Sequence, residues 1–108
     1  MANTFKNSIT GAIGTSDVAV YTVPAATSTT VIGMSVANVA ESNITVSATL
    51  TSGSSTVFLV KDATVPAGGS VVLVGGTQKL VLTATNYLSV VSSAATSADV
   101  VVSVLEIS

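Results

Sequence analysis

The sequence predicts an all-β protein, an antiparallel β-sandwich of jelly-roll type with about eight strands and an extended N-terminal arm. Three observations carry this reading. About half of the 108 residues are Val, Ser or Thr, a composition suited to half-buried pleated strands whose side chains pack shoulder to shoulder. Apolar residues recur at every second position or in short β-branched runs, and no amphipathic stretch of helical period is present. The runs are punctuated at short spacing by Gly, Pro, Asn and Ser, the pattern of a sandwich or jelly roll rather than of alternating strands and helices.

Residues 1–16 differ from the rest. Asn, Ser and Thr, with Gly11 and Gly14, surround only three sizeable apolar groups, Phe5, Ile9 and Ile13. A segment this polar is expected to be an arm, with residues 17–108 forming the sandwich domain. Ile9 and Ile13 are four apart and so share one side of a regular strand. Phe5, Ile9 and Ile13 are therefore the expected assembly contacts, buried against a neighbouring subunit.

Strands are expected at 18–23 and 31–39. The clearest follows in Ile44-Thr45-Val46-Ser47-Ala48-Thr49-Leu50, where apolar and hydroxyl residues alternate without a break, so Ile44, Val46, Ala48 and Leu50 face a core. Thr51-Ser52-Gly53-Ser54-Ser55 reads as a hairpin loop into a strand at 56–60. Further strands are expected at 70–74, 79–84, 87–92 and 99–107, with turns at Gly68-Gly69 and Gly75-Gly76. Val23-Pro24-Ala25 and Val65-Pro66-Ala67 repeat one corner. Proline lacks a donor and is tolerated at strand starts and edges, so this corner can arise twice without duplication of a half-domain.

A chain of this length suits one domain that buries roughly 60 to 70 per cent of its unfolded surface, without a metal or disulfide staple. Mean hydropathy is +0.78, yet no stretch approaches the roughly 18 consecutive apolar residues of a spanning helix, so no membrane partner is expected. The N-terminus lacks the apolar core of a signal peptide, and synthesis in a cytoplasm is expected. Three Lys, no Arg and a net charge of −2 offer no footprint for phosphate, which argues against nucleic acid.

Catalytic groups are scarce. The chain contains no His or Cys, so a Ser or Thr nucleophile has only Lys6, Lys61, Lys79 and the carboxylates as bases, and none stands in a recognisable motif. Asp17, Glu41, Asp62, Asp99 and Glu106 are isolated in sequence and lack the close oxygen spacing of a calcium loop. Asp17 and Asp99, each just before a strand, are expected in local turn hydrogen bonds. Phe5, Tyr21, Phe58 and Tyr87 are the only aromatics, read chiefly as packing groups; exposed Tyr21 and Tyr87 on one face would instead favour a sugar site. The glycine pairs lack the Lys-Ser/Thr of a phosphate loop, and the triplet Asn43-Ile44-Thr45 lacks a secretory context. No catalytic residue, metal or cofactor is expected.

The informative signal is distributed. Residues 57–60, 71–74 and 100–105 are apolar at nearly successive positions, whereas a strand with one wet face should alternate. A two-sheet sandwich covers one face of each strand, so the other must meet the arm, a long loop or another subunit. Few charges guard the strand edges, which points the same way. The chain reads as a self-associating protomer.

The succession Tyr21-Thr22-Val23-Pro24-Ala25, Val31-Ile32-Gly33-Met34-Ser35-Val36-Ala37-Asn38, Phe58-Leu59-Val60-Lys61-Asp62-Ala63, Val65-Pro66-Ala67-Gly68-Gly69-Ser70 and Asp99-Val100-Val101-Val102-Ser103-Val104-Leu105-Glu106-Ile107 resembles small virion structural proteins of tailed bacteriophages, including phages of marine cyanobacteria. The likeness covers nearly the whole chain. It implies a β-sandwich unit that attaches to a head, neck or tail without catalysis: a homo-oligomer, expected as a trimer, that decorates or cements a capsid. The implied partners are itself and the major capsid protein or other virion proteins, and the implied location is the virion. A neck, tail or fibre component that touches host sugars, or a bacterial carbohydrate-binding or adhesin module, are the alternatives.

Overall fold

The computed structural model describes residues 3–74 and 80–107. Nine strands run through them: β1 (Asn3–Ile13), β2 (Val18–Thr22), β3 (Ser28–Asn38), β4 (Ile44–Ser52), β5 (Ser55–Val65), β6 (Ser70–Val74), β7 (Leu80–Leu82), β8 (Tyr87–Ser92) and β9 (Ala98–Ile107). No helix occurs among the described residues. Gly75-Gly76 and Lys79, read above as a turn and a strand start, lie outside them.

The pairing explains the architecture. β4 and β5 form a hairpin, and working outward from it β3 pairs with β6 and β7, β2 with β8, and β1 with β9, all antiparallel. The chain is thus one long double-stranded ribbon folded back on itself. Two further pairings, β3 with β9 and β4 with β8, wrap the ribbon into two sheets. One has the order β1-β9-β3-β6, with β7 also on β3; the other has the order β2-β8-β4-β5. This is the jelly-roll wrap predicted from the sequence. β6 and β7 lie along successive stretches of the same flank of β3 and together fill one place in it.

Local chemistry fixes the bounds. Ser52 pairs with Ser55, so the loop expected over 51–55 tightens to Gly53-Ser54, and Gly53 supplies the positive φ of 61° that a two-residue type II′ turn needs at its first position. β5 continues past the expected end at Val60 because Asp62 takes a left-handed φ of 52° in a bulge, and the Ser47 hydroxyl accepts its N–H at 2.9 Å. Bulges of this kind let a strand twist on without losing its partner. Both prolines follow the ends of β2 and β5, the two edges of the four-stranded sheet, where a missing donor costs least.

The core lies between the sheets. Val46, Ala48 and Ile44 of β4 are buried as the alternation predicts, facing Val90 and Leu88 of β8 and, across the sandwich, Val100, Val102 and Val104 of β9 with Met34 and Val36 of β3. Leu50, the last of the series, is only half-buried at the end of the sandwich.

The segment read as an arm is placed in the sheet. From Asn3 to Ile13 it runs as β1 beside β9, in continuous register up to Thr10. Its polarity has a physical reason: the inward face of β1 carries Thr4, Lys6, Ser8 and Thr10, whereas Phe5 and Ile9 point outward. The shared side expected for Ile9 and Ile13 does not hold. Between Thr10 and Ile13 the register gains one residue, with Ala12 at a φ of 56°, and one inserted residue turns every later side chain to the opposite face. Ile13 is therefore in the core at 1% exposure, while Phe5 and Ile9 are 76% and 72% exposed.

Candidate functional site

Two clusters could carry function: a polar network inside one end of the sandwich, and the outer face of the five-stranded sheet. The network begins with parity. Val100, Val102 and Val104 face inward along β9, so Glu106 must too. A buried carboxylate needs partners. The Tyr21 hydroxyl donates to Glu106 Oε2 at 2.6 Å and also lies 2.9 Å from Thr29 Oγ1, while Lys6 Nζ is 3.3 Å from Glu106 Oε1. The Tyr21 hydrogen bond, followed by Lys6, lowers the Glu106 pKa below its usual range. Burial, then the Glu106 carboxylate, pushes Tyr21 up to about 12. The four residues come from β9, β2, β3 and β1 and tie both sheets together. Among the described residues no buried side-chain polar atom is left without a partner, and the network joins the two sheets at this end.

The remaining ionisable groups do not converge. Among the described residues no group of three His, Cys, Asp or Glu is close enough to hold a metal ion. Asp99 is not in a local turn: its Oδ1 accepts the Ala12 N–H at 3.0 Å across to β1 and pins the bulge there. Lys61 Nζ sits 5.4 Å from the Phe58 ring centroid on the exposed edge strand β5. Asp17 and Glu41 are exposed in loops. Tyr21 faces the interior and Tyr87 the outside of the four-stranded sheet, so they form no common platform.

The outer face of the five-stranded sheet is the second cluster. Register aligns Phe5, Leu105, Thr30 and Val81 in one row across β1, β9, β3 and β7, and Ile9, Val101, Ser35 and Val72 in another across β1, β9, β3 and β6. Asn7, Ser103 and Gly33 lie between them. A bulge between Val31 and Gly33 turns Ile32 outward to join this face, where Phe5, Lys6, Asn7, Ile32, Ser103 and Val104 line a shallow depression. Val72 and Val81 are each 67% exposed and Val101, on a central strand, 42%. The covering group expected over the successive apolar positions is not the N-terminal segment, which extends this sheet at its edge instead of crossing it.

Sequence reasoning names Phe5 and Ile9 but misses Val72, Val81 and Val101 as members of one surface. For Val72 and Val101 the signal is the apolar run at 71–74 and 100–105, and for Val81 the apolar triplet Leu80-Val81-Leu82; these show that both strand faces are apolar without saying which strands adjoin.

No family model matches the chain, and no curated protein does. Solved structures with the same fold are found. A chain of the Bacillus endospore appendages, described as disulfide-linked pili, superposes with a TM-score of 0.56 over 98% of this chain and 88% of that one, at 9% identity. A chain of the T13 particle of infectious bursal disease virus (IBDV) gives 0.52 over 96% of this chain at 12% identity, and one from the Gx strain of that virus gives 0.52 over 96% at 13% identity. This chain spans about a third of each viral chain, 35% and 36%. At these identities the likeness is one of fold: the chain shares its β-sandwich with subunits of pili and of viral particles.

Proposed function

We propose that this protein is a non-catalytic structural subunit that associates with copies of itself on a virus particle, decorating and stabilising a capsid. The observation that carries the reading is the uncovered apolar outer face of the five-stranded sheet, since a monomer seldom leaves so many large side chains of one flat surface in water. Association would stabilise a particle additively, each copy contributing about 25 cal/mol for every Å² of apolar surface removed from water. The pili and viral particles that share this fold support an assembly role. These 108 residues contain no cysteine and so supply no thiol for a disulfide link between copies.

The finer reading is a decoration or cement protein of a tailed bacteriophage, made in the host bacterial cytoplasm, trimeric, and seated on the major capsid protein. The sugar-contacting alternative at neck, tail or fibre has less support, since Tyr21 is committed to Glu106 inside the fold. Quantitative mass spectrometry of purified particles tests the reading: the chain is expected at a fixed ratio to the major shell protein. Absence from particles, or turnover of any substrate by the purified chain, would overturn it.

A further inference from the structure

We infer that two copies of this chain stack through the outer faces of their five-stranded sheets, related by a two-fold axis that runs across the strands along the Asn7–Ser103–Gly33 row. The inference rests on the self-association reading above and adds the surface, the partner and the symmetry. Rotation about this axis keeps each strand over its own copy and reverses its direction. Phe5 then lies over Ile9 of the second copy, Leu105 over Val101, and Val81 over Val72, while Thr30 meets Ser35. Apolar groups face apolar groups, and the small hydroxyl residues face each other. The surface is complementary to itself, as an isologous contact requires.

Charge allows the same arrangement. Among the described residues strand parity directs one charged side chain from this face, Asp99, at its end and already hydrogen-bonded to the Ala12 N–H, while Lys6, which borders the depression, is paired with Glu106. Asp99 is four residues from Ser103, so the two-fold holds the two carboxylates about 26 Å apart, well beyond a screening length of about 8 Å. A strongly charged partner finds almost nothing here to pair with. Size allows it as well. Strands about 4.8 Å apart and eight residue steps of about 3.3 Å give a face of about 500 Å² per copy, hence about 1,000 Å² in all. That reaches the size at which specific interfaces begin. Sheets stacked in this way sit about 10 Å apart with strands rotated by about 30°.

Light scattering on the full chain tests the symmetry. A two-fold contact gives an even multiple of 10.6 kDa: a hexamer where it joins two trimers of the kind proposed above, or a dimer where the three-fold contact is absent. Val101→Asp should halve that mass with unchanged circular dichroism, and Thr49→Asp, on the other sheet, should not change it. Should Val101→Asp fail to fold, Phe5→Ser with Ile9→Ser on the exposed edge strand serves the same purpose. Because the chain has no cysteine, Ser103→Cys introduces a single thiol next to the axis, which a short bismaleimide should link into dimers, whereas Thr49→Cys should stay unlinked. A monomer at about 100 μM, an exclusively trimeric species, retention of the full mass by the folded variants, or no linkage through Ser103→Cys would each overturn the pairing. A monomer that still co-purifies with particles sinks the pairing alone. A dimer absent from particles sinks the virion reading alone.

Discussion

The two outer faces of this sandwich are built from the same strand geometry and differ in chemistry. On the four-stranded sheet the rows are Thr22, Tyr87, Thr51 and Thr56, and Ala19, Ser89, Thr49 and Phe58; the hydroxyls of Thr51 and Thr56 bond each other across strands at 3.0 Å. On the five-stranded sheet the equivalent rows are Phe5, Leu105, Thr30 and Val81, and Ile9, Val101, Ser35 and Val72. Hydroxyl rows satisfy themselves and tolerate water, whereas rows of valine and leucine gain only when something covers them. The fold needs neither choice, since both sheets already share one buried core. Covering the apolar face is what the proposed self-association would do.

Charges placed on neighbouring residues test this contrast most severely. Val102 is fully buried and Val101 is exposed, so Val102→Asp should cost about 4 kcal/mol or more by burying an unpaired carboxylate, and Val101→Asp should leave a folded chain. Val46→Asp and Thr45→Asp should divide in the same way on the four-stranded sheet. Soluble yield and thermal melts read the outcome. Equal loss from Val101→Asp would mean that the outer face of the five-stranded sheet is part of an obligate core, and that the folded monomer does not exist alone.

The network behind the first face gives the next largest effect. Tyr21→Phe leaves the Glu106 carboxylate without its closest donor and should cost about 2 kcal/mol. Glu106 has its pKa lowered in the fold, so its contribution is present above its ordinary value near 4.5 and fades as pH falls through the lower folded value. Tyr21 has the opposite sign: the folded state holds its proton more tightly, so stability should fall as pH rises from about 10 to about 12. Urea melts across pH should show both limbs in the wild type, and Tyr21→Phe should flatten the basic one. A basic limb that survives the substitution would place the cause elsewhere.

Most of the architecture is legible in the sequence because its signals are local. Alternation in β4, the Gly53 turn and the proline corners each depend on adjacent residues and a single backbone rule. What is lost is parity over distance. Ile13 shares its phase with Phe5 and Ile9 until one inserted residue at Ala12 reverses it, and nothing in Gly11-Ala12 distinguishes a bulge from a regular step. Glu106 illustrates the converse: its in-phase position after Val100, Val102 and Val104 marks it as inward, and its need for a partner follows, but Tyr21 and Lys6 are too far along the chain to be named. The N-terminal segment looks like an arm because a strand with a polar inner face carries the composition of a loop.

Solvent contact with the two faces should differ measurably without much change in stability. At concentrations too low for copies to pair, Ile9→Ser with Val72→Ser should reduce binding of a hydrophobic dye while shifting stability by under about 1 kcal/mol, since both side chains are largely exposed in the single copy. Thr49→Val should increase dye binding by converting part of the hydroxyl face. If the serine pair leaves dye binding unchanged at higher concentration, the first face is already covered in solution, and dilution should then restore the difference as copies separate.

The smallest expected effect lies on the edge strand of the hydroxyl face. Lys61 reaches over the Phe58 ring at 5.4 Å, an exposed cation–π contact that contributes about 0.5 kcal/mol. Lys61→Ala should therefore barely move the melting temperature. It should, however, leave Phe58 as an uncovered aromatic on a long edge, where a nearby cation otherwise discourages another strand from adding. Asp62 beside it holds a left-handed backbone that Asp adopts more readily than Ala, so Asp62→Ala should cost more than Lys61→Ala, and Asp62→Gly should restore the loss. A Lys61→Ala chain that melts like the wild type yet aggregates at lower concentration would show that this edge is guarded by charge, unlike the opposite face. One that loses several kcal/mol would show that the lysine supports the fold itself.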